Sequence, residues 1–252
     1  MSESIQVFSK KIFFVYPVSV VYDLLKDLIK YGYEVYVIKD HIQIPKLVEK
    51  YPYSIVYINI FEKMDEKEWE VFIKSLIGNE SIVGMQIGIC TYSTSDDDEL
   101  ASKYLMEFGL SGGYINLHTS YKKSLEKILK ILEAAEAKGN RKFVRVKPFE
   151  DDNNTYVLLN INDKTHQCKI LDVSISCLSI ELHPEKLVKN QILRNSVVKL
   201  RGVPCHVDLL VKGFHCEHND IYILFFIIEK ENIKNKIFDY IYERLQAEIQ
   251  NV

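Results

Sequence analysis

Arg141-Lys142-Phe143-Val144-Arg145 sets two guanidinium groups at i and i+4, in a segment that runs to Lys147 with four positive charges and no acid. If the segment is extended, the two arginines lie on the same side, roughly 13 Å apart by strand rise. A guanidinium fork can bind a phosphate through two parallel hydrogen bonds and stack on a purine face. Further along comes Asp172-Val173-Ser174-Ile175-Ser176-Cys177. Alternation within a strand predicts Asp172 and Ser174 on one face. A carboxylate there can accept from guanine N1 and N2, and a hydroxyl can reach a phosphate or a base edge. Together these groups suit an anion that carries both phosphate and guanine. Taken singly, the arginine pair also reads as a solvated linker, and the Asp-x-Ser as a strand-end turn.

The elements that must position these residues change character along the chain. Residues 10–138 alternate short apolar strands with amphipathic helices. The strands are Ile12–Tyr16, Glu34–Ile38, Ser54–Ile60, Ile82–Cys90 and Gly113–Leu117. Their near-continuous apolar runs fit strands covered on both faces. The helices are Val20–Lys30, Ile44–Glu49 behind Pro45, Glu66–Leu76, Leu100–Phe108 and Tyr121–Ala137. The last carries Leu125, Ile128, Leu129 and Leu132 as its buried stripe. Five such units predict an α/β domain with a doubly wound five-stranded parallel sheet over residues 1–138. Gly139-Asn140 reads as a helix C-cap and as the boundary.

Residues 139–252 read as all-β, closed by a helix. Strands are expected at Tyr156–Ile161, Gln167–Val173, Cys177–Leu182, Ser196–Leu200, Cys205–Lys212 and Ile221–Ile228. Asn162-Asp163-Lys164 and Glu217-His218-Asn219-Asp220 supply turns between paired strands. Six strands without intervening helices imply a small antiparallel barrel or sandwich. A final helix spans about Asn232–Ile249, with Ile237, Phe238, Ile241 and Leu245 facing inward.

An Arg-x-x-x-Arg at the mouth of a small β domain, followed after one hairpin by Asp-x-Ser, resembles the PilZ family over about residues 139–230. That resemblance implies a six-stranded β-barrel that binds the second messenger cyclic di-GMP. It implies that Arg141 and Arg145, with Lys142 beside them, clamp phosphates and guanines, while Asp172 and Ser174 contact the ligand from the barrel surface. Cys177 stands where the family has glycine, which would permit closer ligand approach. The function implied is a bacterial, non-enzymatic sensor that passes the messenger level to a partner protein by reorienting its two domains. The resemblance points to motility, adhesion or exopolysaccharide machinery as that partner. The alternative is a PilZ-like interaction module that has lost nucleotide binding.

The first half resembles a response-regulator receiver domain in its β-α order and length. Active receivers carry an acidic pair after the first strand, a phosphoacceptor aspartate after the third and a lysine after the fifth. Here Tyr16-Pro17, Asn59 and His118 stand near those places, and Thr91 matches the hydroxyl after strand four. Lacking those acids, the site offers neither a Mg²⁺ ligand set nor an acyl-phosphate nucleophile. Such a domain implies partner docking or a homodimer.

Other clusters point to bland roles. Asp96-Asp97-Asp98-Glu99 behind Ser95 reads as the acidic first turn of a helix. Cys205, His206, His215, Cys216 and His218 lack the close pairs of a zinc site. Gly84–Gly88 has no phosphate-loop spacing. No Ser/His/Asp set or carboxylate pair suggests catalysis, and no cofactor is expected. The net charge of -3 gives no global drive toward nucleic acid. No apolar run is long enough to span a bilayer. Five scattered cysteines without CxxC fit free thiols in a reducing cytoplasm.

Overall fold

The computed structural model describes residues 9–94, 98–150, 152–215 and 221–250. The chain forms two compact units, Met1–Lys142 with Glu248–Val252, and Phe143–Ala247.

In the first unit β1 (Lys11–Val15), β2 (Glu34–Ile38), β3 (Ile55–Ile58), β4 (Gln86–Thr91) and β5 (Gly113–Asn116) form one parallel sheet. The strand order is β2-β1-β3-β4-β5, the doubly wound order whose switch point lies between β1 and β3. Ile12, Phe13, Phe14 and Val15 are all buried, as are all four residues of β3. Both faces of these strands are therefore covered, as their apolar runs predicted.

Five helices connect the strands: α1 (Tyr22–Lys30), α2 (Ile44–Lys50), α3 (Glu66–Ile77), α4 (Asp98–Ser102) and α5 (Tyr121–Ala134). α3 begins with a capping box. The Asp65 carboxylate accepts from the Glu68 amide, and the Glu68 side chain accepts from the Asp65 amide. Two of the orphan donors at the helix start are thereby satisfied. α4 widens after one turn into a π-helical stretch, Lys103–Glu107. The Asp96 and Asp97 part of the acidic run, with Ser95, lies outside the described residues.

The end of α5 departs from expectation. The helix stops at Ala134, and Glu136 takes the left-handed conformation (φ 50°). The Ala137 amide donates to Leu132 O and the Glu136 amide to Glu133 O, the pair of bonds that defines a Schellman motif. Ala137 and Leu132 are both fully buried. The apolar closure that accompanies this motif therefore sets the stop earlier than Gly139 would.

In the second unit six antiparallel strands close into a barrel in the order β10-β11-β8-β7-β6-β9. They are β6 (Tyr156–Ile161), β7 (Lys164–Val173), β8 (Cys177–Glu181), β9 (Ile192–Leu200), β10 (Val203–His215) and β11 (Ile221–Ile227). Full closure leaves no edge strand. Val157, Leu159, Ile170, Ile180, Val198, Leu209 and Leu224 fill the interior. α6 (Glu231–Ile249) follows and buries Ile237, Phe238, Ile241 and Leu245. The expected turn at Glu217–Asp220 lies outside the described residues.

Candidate functional site

Arg145 is placed by its neighbours. Val144 and Val146 are buried, whereas Arg145 is partly exposed and Lys147 exposed. The segment therefore alternates like a strand rather than like a solvated linker. Its anchor is an antiparallel bridge between Val146 and Val173, with both amide-to-carbonyl bonds at 2.9 Å. β6 pairs with β7 only as far as Tyr156 opposite Lys169. The Val146 bridge takes up the backbone of β7 beyond that point.

Asp172 is placed by a β-bulge. β7 pairs with β8 as Ile170 with Ile180, then as Asp172 with Ser179 and Val173 with Leu178. Leu171 is the extra residue. Ile170 and Val173 both face buried partners, so the inward parity of the strand changes between them. Without the bulge Asp172 would share the core phase of Cys168 and Ile170; with it, Asp172 turns to the opposite face. The parity break between Ile170 and Val173 is visible in the sequence.

The two side chains then meet. Arg145 Nη1 lies 3.6 Å from Asp172 Oδ1, with side-chain exposures of 32% and 26%. That distance makes an ion pair but exceeds a hydrogen bond. Asp172 Oδ1 is buried and has no hydrogen-bond partner among the described residues. Buried carboxylate oxygens are normally satisfied, so this one is an acceptor open to an added donor.

Ser174 corrects the strand-alternation reading. β7 ends at Val173, so Ser174 does not continue the face of Asp172. It is buried, and its hydroxyl is committed to the turn into β8. Ser174 Oγ accepts from the amides of Cys177 (3.1 Å) and Ser176 (3.3 Å). It also lies 3.1 Å from Cys177 O and 3.3 Å from Cys177 Sγ. The Ser174 amide donates to Cys177 O at 2.8 Å. Cys177, the first residue of β8, is likewise buried. Ser174 and Cys177 thus build the turn beside Asp172.

Arg141 and Lys142 are exposed and close the first unit's run of chain. A Cβ at Gly32, whose φ is +93°, would sit 2.5 Å from Lys142 O. The backbone of Lys142 therefore lies directly over Gly32, where only glycine fits.

In the α/β unit Tyr16, Asn59, Thr91 and His118 stand at or just beyond the ends of β1, β3, β4 and β5. Asn59 is buried; its Nδ2 donates to Tyr16 O at 3.0 Å, and its Oδ1 accepts from the Phe61 amide at 3.2 Å. Thr91 is buried, and its hydroxyl has no partner among the described residues. The His118 ring packs edge-on against Tyr92 at 5.0 Å. No group of three metal-ligating side chains occurs among the described residues. Of the zinc set, Cys205 is buried and His206 exposed on opposite faces of β10; Cys216 and His218 lie outside the described residues. No described helix is long and apolar enough to cross a membrane.

No family model matches this chain, and no curated protein does. Solved structures overlap with part of it. The PilZ domain with c-di-GMP of YcgR from Escherichia coli matches 42% of this chain and 91% of its own, at 12% identity and a TM-score of 0.36. The K. pneumonia MrkH–c-di-GMP complex matches 41% and 52%, at 17% identity and 0.37. The inhibitor of motility MotI/DgrA from Bacillus subtilis matches 42% and 50%, at 12% identity and 0.33. The overlap thus spans about half the length of MrkH and of MotI. The C-terminal half of this chain is thus a closed six-stranded antiparallel barrel to which the arginine segment is bridged at Val146 and Val173.

Proposed function

We propose that this chain is a cyclic di-GMP sensor whose ligand sits on the barrel face marked by Arg145 and Asp172, with Arg141 and Lys142 adding charge from the preceding segment. The observation that carries this reading is the Asp172 carboxylate. Its Oδ1 is buried and lacks a hydrogen bond, yet lies beside a guanidinium. Guanine offers adjacent N–H donors to such an oxygen, and Arg145 offers a fork to the neighbouring phosphate or ring face. Binding at Arg145 orders the segment that joins the two domains, and their reorientation carries the signal to a protein partner. The reading assigns no catalytic role to any residue, and the α/β unit serves for docking or dimerisation.

Calorimetric titration of the intact chain with cyclic di-GMP, with cyclic di-AMP and GTP as controls, tests it. Saturable, guanine-specific binding is expected. Silence at tens of micromolar would favour a second reading, an interaction module without nucleotide. The specific observation behind that reading is the Ser174–Cys177 turn: the serine hydroxyl is already committed, and a thiol fills the glycine position. Cys177→Gly separates the two. Binding that appears or tightens in this variant supports the sensor ancestry of the face, whereas continued silence supports the module.

A further inference from the structure

The α/β unit has a cleft that the barrel site does not use. It lies at the carboxyl ends of β1 and β3, the switch point of the sheet, where ligands of open α/β folds bind. Tyr16, Pro17, Val18, Ser19, Tyr22, Lys39, Glu62 and Lys63 line it, around a volume of about 530 Å³. Cofactor-sized sites fall within roughly 300–1,000 Å³.

Two non-glycine residues on this cleft hold left-handed backbones, Tyr16 at φ 50° and Lys63 at φ 72°. Such conformations are unfavourable for side-chain-bearing residues and persist only where surroundings over-determine them, which is commonly at ligand sites. Tyr16 is held on three sides. Its amide donates to Ile38 O at 3.0 Å, its carbonyl accepts from Asn59 Nδ2 at 3.0 Å, and its hydroxyl meets His41 Nδ1 at 3.0 Å. The Lys63 ammonium sits over the Tyr16 ring, 5.7 Å from its centroid. A second lysine, Lys39, is exposed across the cleft. The lining therefore combines two phenol rings and an apolar Pro17–Val18 floor with two ammonium groups and one carboxylate.

We infer that this cleft binds a small anion bearing an aromatic ring, of the mononucleotide class. The ring packs on Tyr16, Tyr22 and the Pro17–Val18 floor, and the phosphate lies between Lys39 and Lys63.

Trp69 is the chain's single tryptophan. It touches the cleft wall, with its ring 6.2 Å from Tyr16 and 5.4 Å from His41. Its fluorescence therefore reports occupancy directly. The intact protein is titrated with adenosine monophosphate, inorganic phosphate and adenosine, followed by Trp69 emission and in parallel by calorimetry. Adenosine monophosphate is expected to saturate below about 1 mM, phosphate to bind more weakly and adenosine most weakly. Lys39→Ala and Lys63→Ala should each weaken the monophosphate by about ten- to a hundredfold, the loss of one charge-assisted contact. Absence of saturable binding by both readouts overturns the inference. So does adenosine binding as tightly as its monophosphate, or unchanged affinity in both lysine variants.

Discussion

Replacing Asp172 with alanine should weaken ligand binding by about ten- to a hundredfold while leaving the fold as stable as before, or more so. At 3.6 Å from Arg145, the ion pair amounts to about 5 kcal/mol of Coulomb attraction at an effective dielectric of 20. Both side chains are about a third exposed, so desolvation and screening reduce the net value to about 0.2–1 kcal/mol. Against this stands Oδ1, buried and without a hydrogen bond. A buried acceptor left unsatisfied costs about 1–3 kcal/mol. Removing the carboxylate forfeits the smaller quantity and relieves the larger. The balance runs from neutral to roughly 3 kcal/mol in favour of the variant. The bulge at Leu171 supplies the backbone geometry, and its pairing needs no Asp172 side chain.

In affinity the sign reverses. A charged hydrogen bond to the ligand is worth about 1.5–3 kcal/mol, so its loss weakens binding by about ten- to a hundredfold. Urea unfolding gives the first quantity and calorimetry with cyclic di-GMP the second. The opposite signs of the two changes are what mark a group retained for binding rather than for folding. A loss of more than about 1 kcal/mol in stability would refute the reasoning, since it would show that the carboxylate is satisfied in the folded protein.

Ser174→Ala should be destabilising, because the amides of Ser176 and Cys177 lose their acceptor; about 1–3 kcal/mol by urea unfolding is expected for two such bonds. Gly32→Ala should cost at least about 1 kcal/mol from the positive φ alone, and more from the contact with Lys142 O at 2.5 Å. A melting temperature equal to that of the unsubstituted chain would contradict that contact. Stability should also fall with alkaline pH. Burial pushes the Cys90 thiol up to about 12 and the Cys168 thiol up to about 11. Above the ordinary thiol value the unfolded chain sheds protons that the folded chain keeps. The stabilisation is therefore complete below about pH 8.5 and declines through the folded-state values, by about 1.4 kcal/mol per pH unit for each such thiol. Cys90→Ala should flatten this slope in denaturation curves between pH 8 and 10.

What the sequence made legible follows from how local each signal is. The parallel strands announce themselves because burial on both faces demands unbroken apolar runs, such as Phe13-Phe14-Val15 and Ile55-Val56-Tyr57-Ile58. β6 and β11 are equally plain, flanked by turn residues. The end of α5 is different. Glycine at 139 is a strong local stop, but a helix terminates where its last turn can bury an apolar residue, and that is Ala137 against Leu132. The choice depends on what packs over Ala137, which no local window contains. The Val146 bridge was hidden for the same reason, since a single-residue bridge has no periodicity and exists only because β6 stops pairing with β7 at Lys169.

The candidate site shows how one backbone irregularity decides what a motif can do. Read by alternation, Asp172 and Ser174 are equivalent members of one face. The bulge at Leu171 brings Asp172 out of phase with Ile170, and the strand then ends before Ser174. The two motif residues consequently divide the work. Asp172 carries the open acceptor, and Ser174 fixes the turn that holds Asp172 and the Val146 bridge in place. This division explains why a thiol at 177 is compatible with an intact turn. Cys177 Sγ packs on the same hydroxyl that its own amide donates to, so the turn gains a contact. Under the proposed sensor reading, any cost of a thiol here falls on ligand approach rather than on folding. Affinity and stability are therefore separable at every position of this face, and their separation is what distinguishes a working pocket from its structural remnant.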